Sequence, residues 1–350
     1  MADLATDNCQ VKEHGLEHTA YTKYPGNQQG CDEEFNPEKF EESFTVEIQS
    51  YTKGRDLEID LIGLAPAIAN AYRRIMIAEV PTMAIEHCFI RQNTSVLQDE
   101  MLAHRLGMVP IRVDPTKFDF KPSSLPPDAA SAAHTVVFDL KVKCEKLHNA
   151  HQTSGRREDL HKDYKIFTHH LKWKPVGSQE KKFTGKNVIR PMHKNILLAK
   201  LADKQELDLT VHVNKGIGRD HAKFSPVATA TYRLMPRIEI NEKVTGEAAI
   251  RLQNSFSKGV VELSGPNNEA KIVNARLDSG SRNIFRHADL KDKVKYELIK
   301  DHYIFRIEST GAIPSIDILL QSCDILDTKC DLFLKELELS RRGVDDSAWM

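Results

Sequence analysis

The sequence predicts an α+β protein whose character changes in its middle third, and three observations carry that expectation. Apolar and polar residues alternate over 44–49, 57–61 and 303–308, the two-residue period of half-buried strands. Helical spacing takes over from Pro66 to Pro81. A second, longer helical pattern runs from Pro314 to Leu337. Between about residues 86 and 228 the chain turns basic and proline-punctuated.

Residues 1 to about 37 are polar and acidic without periodicity, so a flexible tail is expected. Phe44, Val46 and Ile48 alternate with Thr45, Glu47 and Gln49, predicting a strand with one buried face. Thr52 to Asp56 is turn chemistry, and Leu57, Ile59 and Leu61 bring the chain back as a hairpin. Pro66 suits the first turn of a helix because its fixed φ and missing N–H cost nothing there. Ile68, Ala71, Tyr72 and Ile75 then fall on one apolar stripe, and Pro81 stops it. Arg73 and Arg74 project off that stripe. Ser95 and Gln98 have capping-box spacing, and the helix from Asp99 to Leu106 closes on Gly107 as a C′ glycine. Val109 to Ile111 leaves as an extended segment.

Pro115, Pro122, Pro126 and Pro127 break up the region after this second helix, and Val136 to Val142 reads as a strand. Residues 141–200 hold fifteen Lys and Arg against five Asp and Glu, a stretch suited to a solvated loop, an acidic partner or nucleic acid. Gly216-Ile217-Gly218 lacks the third glycine and the following helix of a nucleotide site, and reads as a loop rejoining a strand from Thr229 to Leu234. After Pro236 the first domain resumes. Tyr303, Phe305 and Ile307 mark a strand ending at Gly311, and Pro314 opens the long helix. Its stripe comprises Ile316, Leu319, Leu320, Cys323, Leu326, Cys330, Phe333, Leu334 and Leu337. At 1.5 Å per residue the stripe is roughly 30 Å long. That is more apolar surface than a small sheet covers, which marks a partner surface.

The 350 residues are 40% hydrophobic and 28% charged with a net charge of −1, so composition gives no reason to expect a nucleic-acid or membrane binder. No apolar run approaches the roughly 18 residues of a membrane span, and the acidic N-terminus is no secretory signal. Six scattered cysteines without a CxxC pair fit free thiols in a reducing compartment.

Candidate chemistry is weak throughout. Cys144, His148 and His151 are spaced like metal ligands, with His161, His169 and His170 further on, but a fourth tetrahedral ligand would have to come from one of those distant histidines. Glu100 and His104 at i, i+4 suit a surface ion pair better than an acid–base pair. His221 has no nucleophile in a glycine-elbow context near it.

The strings ANAYRRIMIAEVPTMAI and QDEMLAHRLGMVPIRVDP, in that order, resemble the alpha-like assembly subunits of DNA-dependent RNA polymerases. GIGRDHAKFSPVATATYRLMP is similar to the large alpha-like subunit type shared by polymerases I and III. HYIFRIESTGAIPSIDILLQSCDIL is similar to the family's closing strand and dimerisation helix. The polymerase II type carries a clustered cysteine zinc loop where Val109 to Lys143 here has no cysteine, which argues against that type.

The resemblance covers about residues 38–340. It implies a discontinuous alpha-like dimerisation domain, 38–86 plus 229–340, with a mostly-β domain inserted at 87–228 and tails at 1–37 and 341–350. It implies a structural role in the nucleus, including nucleolus and nucleoplasm, without catalytic residues, cofactor or metal; the NADFDGD-type magnesium string of the large subunits is absent. The implied partners are the small alpha-like subunit as heterodimer mate, the second-largest subunits of polymerases I and III, and the small zinc-binding subunits. DNA would be met only through the complex, and no membrane is involved. Ile68, Tyr72, Ile75, Ile316, Leu319, Leu320, Cys323, Leu326, Phe333 and Leu337 would face the small partner. Arg73, Arg74 and the loop residues His221, Lys223 and Phe224 would face the others. Two rival readings are a nucleic-acid binder working through 141–200, and a metal-dependent enzyme built on Cys144, His148 and His151.

Overall fold

The computed structural model of the chain describes residues 8–19, 36–147 and 160–347. Its principal elements run in chain order as strands β1 (Asn8–Val11) and β2 (Leu16–Glu17), helix α1 (Pro37–Ser43), strands β3 (Thr45–Thr52) and β4 (Asp56–Ile62), helix α2 (Pro66–Ala78), strand β5 (Thr82–Asn93), helix α3 (Asp99–Gly107), strands β6 (Val136–Lys143), β7 (Lys172–Lys174), β8 (Glu206–Gly216) and β9 (Val227–Ile240), helix α4 (Gly246–Ser255), strand β10 (Val294–Ser309) and helix α5 (Ser315–Ser347). The fold is α+β, as the alternating and helical patterns predicted. The chain divides into two compact units, Met1–Ser50 with Glu58–Asn70 and Thr231–Arg306, and Tyr51–Leu57 with Ala71–Ala230 and Ile307–Met350.

The first unit is organised by a sheet of order β2-β1-β10-β4-β3, with β9 also paired to β10. Lys53 and Gly54 both take positive φ, 53° and 71°, and turn β3 into β4. The alternation in β4 is real: Leu57, Ile59 and Leu61 are buried. That in β3 is not expressed as burial, for every residue of β3 is exposed, Val46 and Ile48 by 49% and 59%. β3 is the outer strand of the sheet, and no described element covers its apolar side. A second apolar cluster gathers Leu252 of α4 with Phe256, Val260, Leu290 and Tyr296. β10 begins at Val294, well before Tyr303. Its buried Glu297 and Lys300 hide the strand from a simple alternation test. Part of the stretch expected to be a flexible tail is a hairpin: β1 pairs antiparallel with β10, Cys9 opposite Leu298, and Val11 is 4% exposed. Four residues are too few for periodicity to register.

The second unit holds a sheet of order β7-β6-β8-β5, the longest ladder joining β8 to β5. One face of that sheet carries a core of Phe138, Leu140, Leu209, Val211 and Val213, closed by Leu102 and Leu106 of α3. The capping box expected at Ser95 and Gln98 does not form. Gln98 is the N-cap without a side-chain bond, and Ser95 Oγ donates to Asn93 Oδ1 at 2.7 Å within a turn that Asn93 organises. Asp99 and Glu100 in the first turn place negative charge at the positive end of the helix dipole. Gly107 is likewise a buried last helical residue, not a left-handed cap.

Candidate protein-interaction site

Within the second unit, the end of α2 and the start of α5 are joined by polar contacts on top of apolar packing. Tyr72 shares a side-chain hydrogen bond with Cys323, and Lys329 Nζ lies 2.6 Å from a Glu79 carboxylate oxygen. Burial, with Cys323 beside it, pushes the Tyr72 phenol up to about 12. Burial likewise raises the Cys323 thiol. Both groups are neutral at physiological pH and act as packing groups with a polar tip.

The side of α5 that meets its own chain is set by Ser315, Ile318 and Ser322, each 0% exposed. Ile318 was not among the expected site residues, although its i, i+4 relation to Ser322 and i, i+7 relation to Ile325 were there to be read. Around from that side runs the expected stripe. Ile316, Leu319, Cys323 and Leu326 are half-buried, whereas Leu320 is 59%, Phe333 66% and Leu337 50% exposed. On α2, Ile68 and Tyr72 are half-buried, but Ile75 is 3% exposed. Ile75 belongs to the chain's own core and offers no surface. Arg74 is exposed; Arg73 is partly buried and engaged in the chain's own contacts.

The first three of the four sequence blocks that carry the resemblance meet at the loop after β8. Arg219 N–H donates to Ala78 O at 2.7 Å, closing the C-terminal end of α2. A Cβ on Gly218 would stand 2.2 Å from Ile77 O, and one on Gly216 would stand 2.6 Å from the Phe224 ring. The glycines therefore serve close approach to backbone and ring, not phosphate. His221 Nδ1 accepts the Lys223 N–H at 3.1 Å, and its ring lies 6.5 Å from that of His104 on α3. Lys223 Nζ pairs with Glu86 at 2.5 Å and its stem passes Gly107. Phe224 is 5% exposed, and its carbonyl accepts from Thr82 Oγ1 at 2.6 Å. Two expectations are corrected here: Phe224 is a core anchor, and the largely covered Lys223 is already paired. His221 is the member of the trio left at the surface. Gly218→Ala is expected to destabilise the chain by about 1–3 kcal/mol, since backbone, not a flexible side chain, must yield. A urea midpoint equal to wild type would show that the loop is not locked in this way.

Cys144 is 0% exposed within the apolar core and burial raises its thiol, while His148 and His151 lie outside the described residues. No group of three His, Cys, Asp or Glu side chains placed to hold a metal occurs among the described residues. The basic residues on the open face of the second sheet are largely answered: Lys141 and Arg91 pair with Asp208, and Lys174 with Asp139. No described helix is long and apolar enough to cross a membrane.

An apolar stripe of this length, left partly open beside the packed side of its helix, marks a surface suited to association. A sequence profile described as the RNA polymerase Rpb3/Rpb11 dimerisation domain matches residues 58–330, and the chain belongs to that family. It is 44% identical over 328 residues to the mouse protein named DNA-directed RNA polymerases I and III subunit RPAC1, covering 93% of this chain and 94% of that one. Identity to the Saccharomyces cerevisiae protein of the same name is 40% over 332 residues, covering 95% and 98%. Subunit Rpo3 of the archaeon Methanosphaera stadtmanae is 29% identical over 278 residues, 77% of this chain and 90% of that one.

Proposed function

We propose that this chain is a non-catalytic assembly subunit of DNA-directed RNA polymerases I and III. The single observation that carries the reading is the open stripe of α5, Phe333 and Leu337 at its far end, in a chain that matches relatives so named along nearly its whole length. The dimerisation domain comprises 38–86 and 229–340, with 87–228 inserted, and it pairs with the small alpha-like subunit through α2 and α5. The heterodimer docks the second-largest subunit through Arg74 and its surroundings. The loop around His221 meets that subunit and the small zinc-binding subunits. The complex works in the nucleus, nucleolus included, on precursors of ribosomal RNA and on small RNAs.

The nucleic-acid alternative has no observation of its own to favour it, and two of the lysines in its basic stretch, Lys141 and Lys174, already pair with Asp208 and Asp139. Purifying the tagged chain from its own cells tests the main reading. Large subunits of polymerases I and III together with the small alpha-like partner are expected; polymerase II subunits, or no polymerase at all, overturn it. Arg74→Ala should leave the heterodimer intact and weaken recruitment of the second-largest subunit at least several-fold. Equal recovery of that subunit removes Arg74 from the docking surface.

A further inference from the structure

We propose that an acidic line along α5 makes the chain select a partner helix flanked by Lys and Arg and reject a second copy of itself. The inference rests on the role of α5 as a dimerisation helix and adds the chemistry of the partner. Asp317, Asp324, Asp331 and Glu338 recur every seven residues. Seven residues are two turns less about 20°, so the four carboxylates stand in one line. Asp327 lies beside it. All five are exposed, and none enters an ion pair among the described residues. Lys335 is the one basic side chain described on that flank.

The stripe lies between this line and the side packed against the chain's own body. Its nearer edge, Leu320 and Leu334, stands three or four residues from the acids on either side, about 40–60° around the helix. As far as Lys329 the other flank is taken up by the chain itself, because Ser315, Ile318 and Ser322 are buried and Lys329 is bound to Glu79. The open rim of the stripe is therefore acidic. A second copy related by a two-fold axis uses the same patch on both sides. In an antiparallel pairing it lays acidic rim on acidic rim, and a parallel pairing sets the rim against the flank the body occupies. Each exposed like-charge pair costs little, but five carboxylates meeting five act together, and repulsion of the wrong partner is how an apolar stripe acquires specificity. A helix carrying Lys or Arg at seven-residue spacing gains where a second copy loses.

The test compares the full chain with the variant Asp324→Asn/Asp327→Asn/Asp331→Asn/Glu338→Gln by sedimentation equilibrium, each purified alone. Self-association at least tenfold stronger in the variant at 0.1 M salt supports the proposal. Equal self-association, or a wild-type chain that is already a stable dimer, overturns it. A second variant with Lys at the same four positions is co-expressed with the small alpha-like subunit. Capture at least tenfold weaker than wild type, recovering in high salt, is expected, and undiminished capture overturns the basic-partner inference. Should wild type itself capture no small alpha-like subunit, the proposed function fails, and the self-association arm still decides whether the acidic line excludes a second copy.

Discussion

Arg276→Ala is expected to destabilise the chain by about 3–5 kcal/mol. Arg276 donates from Nη1 to both Asp60 oxygens, at 2.8 and 2.6 Å, and from Nη2 and Nε to one Glu58 oxygen, at 2.6 and 3.1 Å. Asp60 is 3% exposed and sits mid-strand in β4. A carboxylate so placed is tolerated because a guanidinium bridging it to Glu58 arrives from a segment more than two hundred residues away. The Gln49 amide, 3.0 Å from Asp60, and the His302 ring at 3.3 Å stay behind in the variant but cannot replace a permanent cation held between two carboxylates. Urea unfolding of the purified chain measures the loss. Arg276→Lys should fall between, keeping charge while losing the fork. Asp60→Asn on the alanine background should recover part of the stability, because the cost is mainly the unpaired buried charge. An alanine variant within 1 kcal/mol of wild type would refute the assignment, that threshold being about the value of an exposed pair.

Nothing in the local sequence announces that triad. Glu58 and Asp60 read as the polar half of an alternating strand, which predicts solvent, and Arg276 stands in a stretch without periodicity. The pairing is a long-range fact, and local period is blind to it. The same blindness explains β3, whose Val46 and Ile48 follow the period of a buried face yet are open. Periodicity reports that a face is apolar; whether this chain or another covers it is a separate question. α5 illustrates the converse. Its stripe was legible residue by residue, because nine apolar positions at helical spacing are difficult to produce by accident. The buried anchor Ile318 falls off that stripe, on the side that packs at home, so the stripe does not point to it. The loop glycines were legible as special but not as to purpose, since only coordinates place Ile77 O and the Phe224 ring against them.

Phe333→Asp/Leu337→Asp should abolish capture of the small alpha-like subunit while leaving the chain folded. Both side chains are at least half exposed, 66% and 50%, and lie beyond the last residue of α5 that is buried in its own unit, Ser322. Removing them from the free chain forfeits little of its core. In a heterodimer, however, full burial of two such side chains is worth about 1.5–3 kcal/mol each, and the substituted carboxylates add desolvation on top. A loss near 4 kcal/mol is about a thousandfold in affinity. The control is Ile318→Asp, which places a charge at a site with 0% exposure and should unfold the helix junction, lowering the urea midpoint before any partner is present. The two variants therefore separate the faces of one helix. Partner loss with an unchanged midpoint for Phe333→Asp/Leu337→Asp, against a lowered midpoint for Ile318→Asp, is the pattern expected of a helix whose near side holds the chain together and whose far side waits for another. Undiminished capture by the double variant would mean that the partner docks elsewhere, and the open stripe would then have no part in dimerisation.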